Sequence, residues 1–268
     1  MDKLLTVVIP SYNVEKFLNQ TLDSFICDEA VMKKFEVIVV DDGSKDNTAK
    51  IGKEYADKYP DTFRVISKEN GGHGSTINCG IRNAVGKYFK VVDGDDWVNT
   101  ADFVKLVEDL EKTESEYVFT NYYEYYDDVN RQKAVDFPQF KDGTEYDFAD
   151  VANKVYIPMH ALVIKTSVLK DNNIVIDEKC FYVDVEYVMF PVPFVNKVTF
   201  FDLHVYMYRL ALSTQSVSIL GFQKHINDHL RVTFHMFDFY RDYISSDKAD
   251  SAKADYMRTC IADLIITQ

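Results

Sequence analysis

Within the first hundred residues, four short apolar or β-branched runs each end in a polar segment, and a helical pattern follows every one. Leu4 to Ile9 leads into Pro10-Ser11-Tyr12-Asn13, and Val14, Phe17, Leu18, Leu22 and Phe25 then recur at helical spacing. Glu36 to Val40 ends in Asp41-Asp42-Gly43-Ser44, where Ser44 is placed to cap a helix carrying Ile51 and Tyr55. Phe63 to Ile66 leads to the glycine-rich turn Asn70 to Thr76 and a helix through Ile77 and Ile81. Tyr88 to Val92 runs into Asp93-Gly94-Asp95-Asp96-Trp97, with Thr100 as the next cap. Only parallel strands joined by crossover helices satisfy this alternation, so the first half is an α/β unit with a Rossmann-like sheet.

In an open parallel sheet, ligands bind beyond the carboxyl ends of the strands. The polar segments at Pro10, Asp41 and Asp93 should therefore meet in one crevice. Clustered carboxylates repel unless a cation joins them, and hard divalent ions take oxygen ligands while leaving positions for phosphate. Asp93 and Asp95 at a strand end thus point to a metal-bound diphosphate, whereas Asp41 and Asp42 taken alone fit the commoner role of shaping turns. The turn from Gly71 to Thr76 aims helix-start N–H groups at an anion.

After about residue 115 the alternation weakens. Tyr117 to Tyr126, Pro158 to Leu169 and Val198 to Tyr208 suggest strands of a mixed sheet, and from Phe222 onward the pattern is helical, with Phe234, Phe237, Phe239 and Tyr240 forming a buried stripe. The expected divisions are 1–115, 116–220 and 221–268. His225 and His229, one helical turn apart, lack the Glu of a zinc-binding H-E-x-x-H and are expected at the surface. The apolar end from Leu264 to Gln268 has no cap, which suggests a chain that continues.

With 30 Lys and Arg against 43 Asp and Glu, the formal charge of −13 repels a phosphate backbone, so no nucleic-acid partner is expected. The four cysteines form no C-x-x-C pair and fit reduced thiols of a cytoplasmic protein. No segment reaches the roughly 20 apolar residues of a membrane helix, which leaves peripheral contact with the inner membrane face as the membrane association to expect.

V-V-I-P-S-Y-N-V at 7 to 14, V-I-V-V-D-D-G-S-K-D-N-T at 37 to 48, E-N-G-G at 69 to 72 and V-V-D-G-D-D-W-V at 91 to 98 together resemble the inverting glycosyltransferase family 2, in order and in spacing. The resemblance is strong over about residues 4 to 110 and weaker to about residue 218. It implies the GT-A fold: a mostly parallel central sheet flanked by helices, a mixed acceptor-side half and a helical C-terminal segment. It also implies transfer of a sugar from a nucleotide diphosphate, preferably uridine-linked, to a glycan, lipid-linked or other hydroxyl acceptor, with Mn2+ or Mg2+. Lacking the membrane helices and Q-x-x-R-W segment of processive relatives, the chain fits a single-addition enzyme of surface or capsular polysaccharide synthesis.

Residue by residue, the resemblance assigns Tyr12, with Pro10, to stacking on the base and Asp42 to accepting its hydrogen bond. Asn70 and Gly71 fall on the donor side, Asp93 near ribose and sugar, and Asp95 on the metal. Trp97 matches an aromatic near the acceptor, or a core residue. The general base comes from an E-D pair in this family; here Val183 replaces the Glu, Asp184 matches the Asp, and Glu186 is the alternative base. Ile77 stands where the family has Arg, with His73 as substitute or turn residue. Arg209, with Tyr208 and the segment Gln215 to Ser218, falls near the diphosphate or acceptor. Two other readings stay open: a sugar nucleotidyltransferase, disfavoured because Pro10-Ser11-Tyr12-Asn13 replaces its glycine-rich first loop, and a catalytically silent nucleotide-sugar-binding module. The sugar, the acceptor and the oligomeric state are not encoded in any of these motifs.

Overall fold

The computed structural model describes residues 3–210 and 219–266; the segment Gln215 to Ser218 lies outside the described residues. The strands are β1 (Leu5–Ser11), β2 (Phe35–Asp41), β3 (Phe63–Ser67), β4 (Tyr88–Val91), β5 (Trp97–Val98), β6 (Tyr117–Tyr126), β7 (Arg131–Val135), β8 (Thr144–Asp147), β9 (Leu162–Lys165) and β10 (Lys197–Leu210). The helices are α1 (Leu18–Asp23), α2 (Glu29–Met32), α3 (Thr48–Lys58), α4 (His73–Asn83), α5 (Thr100–Asp109), α6 (Phe148–Ala152), α7 (Thr166–Asp171), α8 (Asp184–Met189), α9 (Ile219–Lys224), α10 (Ile226–Ile244) and α11 (Ser251–Ile266).

All the strands join one sheet in the order β3-β2-β1-β4-β9-β6-β10-β5, with β7 on β6 and β8 on β10. Pairing is parallel from β3 through β2 and β1 to β4 and again between β10 and β6. It is antiparallel where β9 joins β4 and β6, and where β5, β7 and β8 attach. The sheet is therefore mixed, and the expectation of a mostly parallel one holds only for the amino-terminal half. Crossover helices enforce parallel pairing there, while β9 returns through a loop and can run either way.

Every residue of β1 is buried because both faces of the sheet are covered. Leu5, Val7 and Ile9 pack on one side with Leu18, Leu22 and Phe103; Val8 packs on the other with Ile77, Ile81 and the core beneath the C-terminal helices. Each such aliphatic side chain contributes about 1.5–3 kcal/mol. The four cysteines are free thiols, three of them buried. No helix among the described residues is long and apolar enough to cross a membrane.

Several local expectations shift. The cap of α5 is Asn99, whose side chain accepts the Ala101 and Asp102 amides, and not Thr100. Ser44 does not cap α3, which begins at Thr48; its hydroxyl accepts the Asn13 amide at 3.0 Å. Pro158 to Leu169 is strand only over Leu162–Lys165, and Thr166 then starts α7. On α10 the inward residues are His229, Val232, Thr233, Met236 and Tyr243, while Phe234 is 63% and Phe237 44% exposed. Phe239 and Tyr240 of the expected stripe do pack half-buried against the core, whereas Phe234 and Phe237 fall outside the face that it meets. His229, expected at the surface, is buried with its ring nitrogen 3.2 Å from the Leu264 carbonyl of α11.

Candidate active site

The strand ends of the amino-terminal half deliver their polar segments to one edge. The Gly94 amide donates to the Pro10 carbonyl at 3.1 Å, and the Asp42 amide to the Ser11 carbonyl at 2.9 Å, tying the three segments together. A Cβ at Gly94 would fall 2.9 Å from that same Pro10 oxygen, so only glycine permits the approach. Tyr12 stands beyond the end of β1, 47% exposed, with its ring available.

Asp42 is engaged within the protein. Its carboxylate accepts Lys68 at 2.7 Å and the Gly71 amide at 2.9 Å on one oxygen, and the Gly72 amide at 2.8 Å on the other. Asn70 donates to the Asp42 carbonyl at 2.9 Å. The glycine-rich turn does cradle an anion, as its exposed amides require, but that anion is the Asp42 side chain. Neither Lys68 nor Ser75, which donate to this carboxylate, carries a sequence signal of the role.

The segment 176–180 lies across the start of α4. Asn78 exchanges hydrogen bonds with the Ile176 backbone at 2.8 and 2.9 Å, and the Lys179 amide donates to the Gly71 carbonyl at 2.6 Å. A Cβ at Gly74 would sit 2.0 Å from the Asp177 carbonyl oxygen. This close packing brings α8, from the second half of the chain, against the first half.

Three groups distant in sequence interact there. His73 Nε2 lies 2.7 Å from Asp93 Oδ1. Burial works against the charged His73 ring, but Asp93, Asp184 and Asp95 together raise its pKa. Burial raises the Asp184 carboxyl, with His73 opposing and Asp93 reinforcing. Burial and Asp93 push the Asp95 carboxyl up to about 6. Asp95, half-buried, receives no side-chain donor among the described residues, so its oxygens, with the Asp93 oxygen that His73 leaves open, are ligands that a hard cation such as Mn2+ or Mg2+ could take. His160, which the sequence did not single out, stacks on Tyr208 with centroids 3.9 Å apart; burial pushes its pKa down to about 4.

Glu186 occupies a different environment. It is fully buried, accepting the Asp177 amide at 2.8 Å on one oxygen and facing His235 Nδ1 at 2.9 Å on the other. Asp177, Glu186 and His235 bring their ligand atoms within 4.8 Å of one another, a donor set that suits a divalent ion, although Arg231 already pairs with Asp177 at 3.1 Å. This carboxylate is therefore enclosed by groups of the protein itself, unlike that of the half-buried Asp184. Val183, in place of the family's Glu, is buried in the core.

Arg209 and Trp97 both have partners within the protein. Arg209 is 5% exposed; its guanidinium donates to the Asp95 carbonyl at 2.8 Å and to Gln20 at 2.6 Å, and pairs with Asp127. The Trp97 ring is half-buried, 4.6 Å from that guanidinium and edge-on to Tyr125 at 5.1 Å. Both side chains face internal partners because β5 pairs with β10 at Met207, a contact between residues 110 apart.

The model of glycosyl transferase family 2 matches residues 6–172. The chain is 37% identical over 123 residues to the uncharacterized glycosyltransferase EpsJ of Bacillus subtilis, covering 46% of this chain and 35% of EpsJ. It is 34% identical over 125 residues to glycosyltransferase GlyA of Streptococcus pneumoniae, covering 47% of this chain and 18% of GlyA. The matched region thus spans about a third or less of these curated relatives. Among solved structures, residues 1–349 of S. aureus TarS in complex with UDP-GlcNAc superimpose with a TM-score of 0.73 at 20% identity, covering 98% of this chain and 72% of that one. The mannosyltransferase PcManGT from Pyrobaculum calidifontis, with GDP-Man and Mn2+, gives 0.63 at 18%, covering 98% and 70%. These two likenesses are of fold, and they extend the match beyond the region covered by the family model. On that model, which spans more than half of its residues, the chain belongs to glycosyl transferase family 2.

Proposed function

We propose that the protein transfers a sugar from a nucleotide diphosphate, preferably uridine-linked, to a hydroxyl of a glycan or lipid-linked acceptor, with inversion. The observation that carries this reading is the His73–Asp93 contact at 2.7 Å, on which the charge of Asp184, more than a hundred residues on from His73, also acts. A base and a diphosphate site must face one another across the anomeric carbon for a single in-line displacement.

In this reading Tyr12 stacks on the base beside Pro10, and the turn of Asn70 and Gly71 borders the nucleotide. Asp95, with Asp93, would hold Mn2+ or Mg2+, which supplies positive charge to the diphosphate as it leaves. Asp184 takes the acceptor's proton as its oxygen attacks, and burial, by raising its pKa, makes it a more willing proton acceptor. Trp97 is read as a wall of the crevice. UDP-GlcNAc in the TarS complex and GDP-Man in PcManGT are two donor classes with which to begin.

The test is a panel of nucleotide sugars with Mn2+ and hydroxyl acceptors, with the product anomer assigned by NMR. Inverted product, lost on Asp95→Ala, is the expected result. A retained anomer, or donor binding equal with and without chelator, overturns the reading.

A further inference from the structure

The loop from Asp93 to Asp96 is held by its backbone at nearly every peptide. The Asp93 amide donates to the Tyr206 hydroxyl at 3.2 Å and the Gly94 amide to Pro10. Thr21 donates to the Gly94 and Asp96 carbonyls at 3.1 and 2.6 Å. Three further contacts come from the end of β10. The Arg209 amide donates to Asp96 Oδ1 at 2.7 Å, and its Nε to the Asp95 carbonyl at 2.8 Å. Tyr206 donates its hydroxyl to the other Asp96 oxygen at 2.6 Å.

The guanidinium is itself fixed. It lies 5.0 Å from the Phe17 ring centroid and 4.6 Å from that of Trp97, while Gln20 and Asp127 take its terminal nitrogens. A planar, multiply bonded and stacked cation of this kind cannot be replaced by a point charge. Asp96, buried between Tyr206 and Arg209, faces inward, whereas the Asp95 side chain receives no side-chain donor among the described residues.

We propose that Arg209 is a positioning residue: together with the Asp96 carboxylate that it shares with Tyr206, it fixes the peptide between Asp93 and Asp96 so that the Asp93 and Asp95 carboxylates present a preformed divalent-cation site. The inference rests on the metal reading given above. Holding ligands in place is worth most before the ion arrives, because each ligand left to find its position lowers affinity.

The experiment measures Mn2+ affinity of the full chain without nucleotide, by calorimetry or by EPR of free Mn2+, for wild type, Asp95→Asn, Arg209→Lys and Tyr206→Phe. Asp95→Asn is expected to abolish binding. Arg209→Lys, which keeps the charge but not the planar fork, is expected to weaken it at least tenfold; Tyr206→Phe, nearly isosteric, should weaken it severalfold and carries the test alone if Arg209→Lys does not fold. Wild-type Mn2+ affinity in the folded Arg209→Lys or Tyr206→Phe protein, with binding lost in Asp95→Asn, overturns the inference alone. Mn2+ binding that survives Asp95→Asn and is also unchanged when Glu186→Gln is added, which breaks the Asp177–Glu186–His235 donor set, overturns the metal reading and the inference with it.

Discussion

Asp42 Oδ2 accepts the Gly72 amide at 2.8 Å, at a residue whose φ of +83° admits little but glycine. With the Gly71 amide and Lys68 on the other oxygen, this carboxylate organises the turn that leads into α4. An aspartate in this position acts on the shape of the crevice before it acts on any ligand.

Asp42→Ala is therefore expected to lower fold stability as well as donor affinity, since one buried amide, one part-buried amide and a lysine lose their acceptor. A loss of about 2–3 kcal/mol in urea unfolding follows from the desolvation of such groups. Tyr12→Ala, at an exposed position, should leave the unfolding midpoint unchanged while UDP affinity falls roughly tenfold to a hundredfold. An Asp42→Ala protein as stable as wild type would show that the turn holds its shape without the carboxylate.

Asp184 and Glu186 separate chemistry from structure. Asp184→Asn is expected to reduce kcat by about 10² to 10⁴ with little change in donor KM, the signature of a lost general base. Glu186→Gln should retain most of the turnover, because its oxygens face Asp177 and His235 and not the crevice. Steady-state kinetics on the two variants decide this; a Glu186→Gln enzyme as inactive as Asp184→Asn would mean that helix α8 needs its buried charge for catalysis.

Burial pushes the Glu186 carboxyl from its ordinary 4.5 up to about 7, against the opposing effects of the Asp177 amide and His235. The folded state consequently holds this proton more tightly than the unfolded chain. The sign is fixed by linkage: the contribution is fully present below about pH 4.5 and is lost as pH rises toward 7. Glu186→Gln cannot lose a proton, so its stability relative to wild type should increase between pH 4.5 and 7 and level off above. Urea unfolding of both proteins with chelator at several pH values checks the slope; parallel curves would deny the shift.

The inward face of α10 makes a further comparison. Met236→Ala removes a fully buried side chain and is expected to cost about 2–5 kcal/mol. Phe234→Ser, on the exposed face, should stay within about 0.5 kcal/mol. Thermal unfolding of the two variants measures the contrast, and a reversed order would place Phe234 in the core.

The amino-terminal half was legible because its information is local. An apolar run such as Leu5 to Ile9, buried on both faces, declares a central strand within a few residues, and Asp93-Gly94-Asp95 follows directly on the end of β4. A motif also fixes order along the chain, so its convergence with Pro10 and Asp42 follows from parallel pairing alone. Periodicity marks which face of an element is apolar but not which element covers it. For that reason the burial of Glu186 against His235, 49 residues away, and the capture of Arg209 by Gln20, 189 residues away, could not be read from spacing. The same limit hid the antiparallel insertion of β9 and the inward face of α10, where the packing partner and not the local composition selects the residues removed from water. Charged side chains make the point most sharply: the sequence supplies a carboxylate or a guanidinium, and only the tertiary structure decides whether its partner is a ligand or the protein itself, because burial without a partner is too costly to leave the choice open.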